Sequence, residues 1–312
     1  MTMLSTPAEE LRSRVAGDVH LPGDDGYDEA TLSWNRLYQH RPAIIGLPAS
    51  VADVVELVRF ASAHGLAIGV QTTGHGPVLP VDGGMLIKTG RIGSLEIDPV
   101  AQTAKVGAGL TWGPVLTAAQ DHGLTPLLGS STGVGAVGYT LGGGFGWLGR
   151  RYGMASDSVR SFDVVTTDGR LLTVSADEHA DLFWALRGGG AGSIAVVTSM
   201  EISLYPVTTA YAGNLYYPAE SAGEVMRRWR EWTATAPAEL TSSVVLMNYP
   251  PFDEVPEQLR GQSFVLVRGC HSGSDGERAL AFWREWKTPL MDMWGEIPFT
   301  QADTISNDPT EP

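Results

Sequence analysis

Residues 133–159 read GVGAVGYTLGGGFGWLGRRYGMASDSV, and what this run folds into decides the architecture of the chain. Its first six residues match the dinucleotide fingerprint G-x-G-x-x-G, which would set a pyrophosphate on a helix N-terminus after a buried strand and imply an NAD-dependent dehydrogenase. The context argues against that reading: the preceding LGSST is no buried strand, and the glycines of GGGFG follow where a crossover helix should run. The stretch reads better as a glycine-walled channel. Gly129, Gly133, Gly135, Gly138, Gly142, Gly143, Gly144 and Gly146 bare a row of backbone amides that can solvate a diphosphate without cationic side chains. Val134, Val137, Leu141, Phe145 and Trp147 interleave them and suit packing against something flat, where a solvated surface loop would be polar.

Two further glycine bends flank this run. QTTGHG at 71–76 follows the short apolar run LAIGV and gathers the Thr72 and Thr73 hydroxyls, Gly74, Gly76 and the His75 imidazole in one turn. The hydroxyls and amides could hold phosphate oxygens, and a neutral His75 could act as a nucleophile toward an electron-poor ring carbon; a structural histidine is the competing reading. RGGGAG at 187–192 is either a backbone approach to a ring edge or a helix stop, and Arg187 either a ligand contact or an ion-pair partner. Tyr139, Trp147 and Tyr152 either face a ligand or fill the core.

Working outward, Ser50 with Asp53 three residues on is a capping pair, and the spacing of Val51, Val54, Val55, Val58 and Ala61 predicts a helix over 51–63 ending at Gly65. Strands are expected at 66–70, 85–88, 94–98 and 103–108, with Thr111 capping a second helix that stops at Gly123. SFDVVTTDGRLLTV predicts a hairpin turning at Asp168-Gly169, DLFWALRGGG a short helix, and IAVVTSMEISLYPV one long buried strand. Beyond Pro206 the glycines thin out and the tryptophans gather; strands at 210–217, 242–248 and 262–269 and helices at 219–234 and 275–286 are expected. Val225, Met226, Trp229 and Trp232 form the apolar stripe of the first of these helices. Residues 287–312 show no period and four prolines, which predicts either a disordered tail or a domain left incomplete.

A net charge of −14 without long acidic runs argues against phosphate-backbone or anionic-lipid binding, so the expected partner is a small-molecule substrate, with no nucleic acid and no membrane. One cysteine excludes a disulfide framework and a thiolate metal site. The N-terminal residues carry acids and no apolar signal region, which suits a cytoplasmic protein.

Four segments in order, RPAIIGLPASVADVVELVRFA at 41–61, QTTGHG at 71–76, the 133–159 run and DLFWALRGGGAGSIAVVTSMEI at 181–202, resemble the FAD-binding domain of the vanillyl-alcohol-oxidase or para-cresol-methylhydroxylase superfamily, most closely its berberine-bridge-enzyme-like branch. The resemblance implies an α+β fold: an N-terminal extension over 1–35, a two-subdomain PCMH-type FAD-binding domain over 36–207, and an incomplete α+β substrate domain with an antiparallel sheet over 208–312. It implies FAD held by Thr72, Thr73, Gly74, His75, Gly76, Gly129, Ser130, Ser131, Gly133, Val134, Gly138, Gly142, Gly143, Gly144, Gly146 and the Val196 backbone, with His75 bonded to the flavin 8α-methyl. Many relatives add a second, cysteinyl bond; Ser131 stands at that position, which leaves at most one tether. Thr73 stands where glycine is common, Gly76 where serine is, and Ile194 and Ala195 replace Phe and Gly. The implied activity is a flavin-dependent oxidase whose catalytic base the sequence does not name, a flavin protein without turnover being the alternative.

Overall fold

The computed structural model describes residues 5–76, 79–190 and 194–312. Its chain divides into two compact units: one of Met1–Gly144, Met154–Tyr205 and Pro309–Pro312, and a second of Phe145–Gly153 and Pro206–Asp308.

The first unit is built on one helix. Ser50 and Asp53 make the expected reciprocal capping box, and α3 runs over Val51–Ala63. (The preceding elements are α1, Ser5–Arg14; β1, Asp18–His20; α2, Tyr27–Ala30; and β2, Ile44–Leu47.) Val54, Leu57, Val58 and Ala61 share one core with Ile44, Met85 and Ile87 on one side and Val165 and Val196 on the other. Helix α3 therefore lies between two sheets. The first is mixed, ordered β1-β2-β4-β3, with β3 (Ile68–Gln71) and β2 both parallel to β4 (Met85–Lys88). The second is antiparallel, ordered β5-β6-β9-β7-β8, from β5 (Leu95–Asp98), β6 (Thr103–Gly107), β7 (Val159–Thr166), β8 (Leu171–Ser175) and β9 (Ala195–Ser203). The hairpin turns at Gly169, whose φ of +76° suits glycine.

Residues 5–35 are knitted into this unit: Ala8 and Leu11 join the α3 core and β1 pairs with β2. Asp53 does more than cap. Its carboxylate accepts N–H bonds from Ala16 (2.9 Å), Gly17 (3.1 Å), Ala49 (2.8 Å) and Ser50 (3.2 Å), tying the N-terminal segment to the helix start. Thr111 precedes α4 (Trp112–Gln120) as expected, but its hydroxyl makes no cap bond, because the first amides of α4 are taken by the Thr132 and Val134 carbonyls.

In the second unit, β10 (Thr209–Pro218) is the middle strand of an antiparallel sheet, paired with β12 (Ser263–His271) on one edge. Strand β11 (Leu240–Asn248) extends that side. One face is covered by α8 (Ala222–Thr235) and α9 (Gly276–Arg284), whose Val225, Trp232, Leu280 and Trp283 bury with Leu215, Tyr217, Val265 and Val267. The expected stripe is narrower than the sequence suggests: Met226 is 45% exposed, since it points around the helix from that sheet. Of the two expectations for the segment after 287, the disordered tail is not what the structure shows over 291–305. Strands β13 (Met291–Asp292) and β14 (Gly295–Pro298) pair with the free edge of β10, and Phe299, Ala302 and Ile305 are buried in a 3-10 turn. Two- and four-residue strands are too short to show a period.

Burial alone would raise the Asp53 carboxyl, but the four amide donors outweigh it and hold it below the ordinary 3.8. Asp53→Ala should cost about 3 kcal/mol near neutral pH. A depressed carboxyl stabilises above its unfolded value and loses that contribution as pH falls through the folded one. The gap between wild type and variant in urea melts should therefore close below about pH 4.

Candidate functional site

Strand β3 ends at Gln71, and the loop that follows is locked from behind by polar bonds. The Val81 amide donates to His40 Nδ1 (3.0 Å), which leaves the ring proton on Nε2, facing Gln71 Oε1 (2.9 Å) and Ser33 Oγ (3.0 Å). Ser33 donates to the same Oε1 (2.9 Å), while Gln71 Nε2 donates to the Leu32 carbonyl (3.0 Å). All three side chains are buried and satisfied, the condition under which such a network stiffens a site. The Trp34 amide then donates to Thr73 O (2.9 Å) and the Asn35 amide to Gly74 O (3.0 Å). Gly74 takes a φ of +80°, and a Cβ there would stand 2.8 Å from the Ser33 Cβ. Only glycine turns this corner.

The bend presents His75. Its imidazole stacks on the Trp34 indole at 4.4 Å between centroids and 13° between planes, with Nδ1 2.8 Å from Thr73 Oγ1. The ring is half-buried, and burial pushes its pKa below the ordinary 6.5, so it is neutral at pH 7. The Thr73 hydroxyl thus faces the imidazole. Thr72 departs from the expected role: its hydroxyl donates to the Ala108 carbonyl (2.8 Å) and touches Thr89 Oγ1 (2.8 Å), which leaves no proton for a phosphate. Lys88, next to Gln71 in the β3–β4 register, is a cation the sequence reading passed over; burial and then Arg36 hold its pKa down, and its ammonium donates to Leu32 O (2.9 Å).

The glycine run of 129–144 meets this bend. A Cβ on Gly135 would stand 3.1 Å from the Thr72 Cβ, so the two loops touch. Gly133 is exposed, and its amide points toward Ser131 Oγ at 3.4 Å. From Ala136 the chain winds into α5 (Ala136–Leu141), a six-residue helix stopped at Gly142 that buries Ala136, Val137, Thr140 and Leu141. The run is therefore part channel wall and part helix, and amides such as that of Tyr139, donating to Gly135 O, are spent inside it. Tyr139 settles as packing: its ring fills the space that side chains on Gly129 and Gly144 would need and meets Trp112 edge-on. Its hydroxyl is buried without a partner among the described residues.

The third bend also arrives here. Gly188, with φ of +93°, comes within 3.7 Å of the Gly143 Cα, measured from where its Cβ would be. Arg187 is structural, donating to Ser156 O (2.8 Å) and reaching Asp157 at 3.5 Å. The rest of the RGGGAG reading, at 191–192, lies outside the described residues. Val196 is buried in the α3 core and pairs with Val165, and the β6 pairing ends at Ser199, short of it. Gly146 falls in the second unit with an exposed Phe145 and a buried Trp147; Tyr152, there too, lies under the Arg151 guanidinium at 5.0 Å.

The first unit therefore sets the bend of Thr73, Gly74 and His75 against the glycine run at Gly135, and Gly188 against the same run at Gly143. The residues suit a large anionic, flat ligand: Gly76 and Gly138 have nothing within 4 Å of a Cβ position, so a ligand can reach bare backbone there. No group of acids, histidines or cysteines among the described residues could hold a metal ion. No helix among them is long and apolar enough to cross a membrane.

That is the layout of a nucleotide-cofactor cradle, and residues 42–175 match the FAD binding domain family. The chain is 34% identical over 213 residues to (R)-6-hydroxynicotine oxidase of Paenarthrobacter nicotinovorans, covering 68% of this chain and 46% of that protein. Against the FAD-linked oxidoreductase azaL of Aspergillus niger it is 30% identical over 268 residues, 83% of this chain and 54% of the relative. Among solved structures, 6-hydroxy-D-nicotine oxidase from Arthrobacter nicotinovorans superposes with a TM-score of 0.84 at 27% identity, over 94% of this chain and 64% of that one. A chitooligosaccharide oxidase shares the fold with a TM-score of 0.80 at 23% identity, over 95% and 62%. The chain belongs to the vanillyl-alcohol-oxidase/para-cresol-methylhydroxylase superfamily of FAD-binding proteins. It spans about half the length of the curated relatives it matches.

The two kinds of glycine are separable. Gly144→Ala puts a Cβ 2.4 Å from the Tyr139 ring at a φ of +68° and should lower stability by about 2 kcal/mol or more. Gly138→Ala, in an open helical position, should be neutral or gain up to about 1 kcal/mol. Thermal melts of the two variants check the contrast.

Proposed function

We propose that this protein is an FAD-dependent oxidase acting on an alcohol or activated C–H bond of a small molecule, with the flavin tethered through His75. The observation that carries this reading is the contact of Gly135 with Thr72, which sets the histidine bend against the glycine run within a matched FAD binding domain. The relatives support the reaction class: they are named for oxidation of 6-hydroxynicotine and of chitooligosaccharide. When bound, FAD supplies the hydride acceptor, and dioxygen reoxidises it.

The chain's own residues bind and orient. Amides of 73–76 and 129–135 would carry the diphosphate, with Ser130 and Ser131 hydroxyls beside them, while exposed Gly138 lets backbone approach closely. The Val196 backbone would lie along the ring system. His75, neutral and ring-stacked, is the nucleophile for the tether; Ser131 offers no thiolate for a second. The reading of GVGAVG as an NAD site loses ground, because α5 is only six residues long and no strand leads into Gly133.

The purified protein should be yellow and stay yellow after acid precipitation, with one flavin added to its intact mass. His75→Ala should fold, bind FAD and release all of it to acid; colour in the variant's precipitate would sink the tether. Gly138→Asp, whose Cβ would meet no protein atom within 4 Å, should weaken FAD binding at least tenfold while leaving the melting temperature nearly unchanged. Because burial lowers the His75 pKa, the neutral nucleophile persists below 6.5. The rate of acquiring acid-stable flavin should therefore fall off with a midpoint below pH 6.5, more acidic than an ordinary imidazole would give.

A further inference from the structure

Trp34 lies outside the matched domain, which begins at residue 42, yet it is tied to the histidine bend twice over, and its neighbour Asn35 once. Its amide donates to Thr73 O, the next amide donates to Gly74 O, and its indole stacks on the His75 ring. On the ring's edge, Thr73 Oγ1 meets Nδ1 at 2.8 Å. A flat ring held on one face and at one nitrogen has lost both of its torsions, so His75 is delivered in a single pose.

We infer that Trp34 and Thr73 are positioning residues for His75: the indole fixes the plane of the imidazole and the hydroxyl fixes its rotation within that plane, ready for the bond to the flavin. The inference deepens the covalent reading given above. In that reaction a C–N bond forms between imidazole and the flavin 8α carbon while one methyl C–H and the imidazole N–H break. The two electrons and two protons pass to dioxygen as hydrogen peroxide, and the flavin returns to its oxidised form. Holding a nucleophile in its attacking pose before the bond forms removes an entropic cost from such a step.

The test uses the full chain with four variants. Thr73→Val keeps the shape and removes the hydroxyl, and Thr73→Ser restores it; Trp34→Ala removes the stack, and Trp34→Phe restores an aromatic face. Thr73→Val and Trp34→Ala should bind FAD yet gain acid-stable flavin at least tenfold more slowly. Thr73→Ser and Trp34→Phe should recover to within about threefold. Gain at the wild-type rate by both Thr73→Val and Trp34→Ala would overturn the inference. A second readout needs no covalent bond. The His75 ring protons, assigned by their loss in His75→Ala, should be shifted upfield by the indole in wild-type NMR spectra and move to ordinary values in Trp34→Ala. Unshifted protons in the wild type would also overturn it. If wild-type flavin is released by acid, the covalent reading fails alone, and the ring shifts still decide the positioning role.

Discussion

A side chain at Gly135 would press on Thr72, whose Cβ stands 3.1 Å from where the glycine's own would be, and the meeting of the two loops depends on that contact. It sets the glycine run against the end of β3. Gly143 then meets Gly188, and a hydrogen bond from Gly190 to Leu141 holds the third bend to the end of α5. Backbone packed on backbone brings peptide dipoles close together without charged side chains. A chain of net charge −14 can in this way accommodate an anionic nucleotide whose field its own surface would repel.

The loop is precise because what stands behind it is fully bonded. Ser33, His40 and Gln71 leave no donor or acceptor unpaired in the network behind the histidine, and the His40 tautomer is fixed by the Val81 amide. Asp53 plays the matching part at the other end of the unit, joining the first 20 residues to α3. The two clusters make the N-terminal segment part of the scaffold. They also give the stacked Trp34 a rigid base.

What could be read in the sequence was whatever is encoded within a few residues. The Ser50–Asp53 box, the period of α3, the Asp168-Gly169 turn and the order of the glycine motifs are all local, and each maps onto an observed element. The glycine run was harder, because six helical residues hide between glycines and the division between units falls at Gly144, mid-motif. The partner of the Thr72 hydroxyl is not legible in the sequence, because the Ala108 carbonyl that accepts from it lies 36 residues along the chain. Trp34 was overlooked because its meaning lies in a stack with a residue far along the chain. Met226 follows Val225 directly in the apolar spacing of α8, yet it is 45% exposed while Val225 and Trp232 are buried.

Strand β10 is held along both edges, by β12 on one and by β13 and β14 on the other. Its second set of partners is synthesised after β12, ending at Pro298. During translation the strand therefore waits with one row of peptide groups bare until that short segment has cleared the ribosome, a period in which it can recruit a neighbouring nascent chain instead. The brevity of the two closing strands shortens the wait, and the Asp292, Glu296 and Pro298 they carry disfavour pairing with strangers.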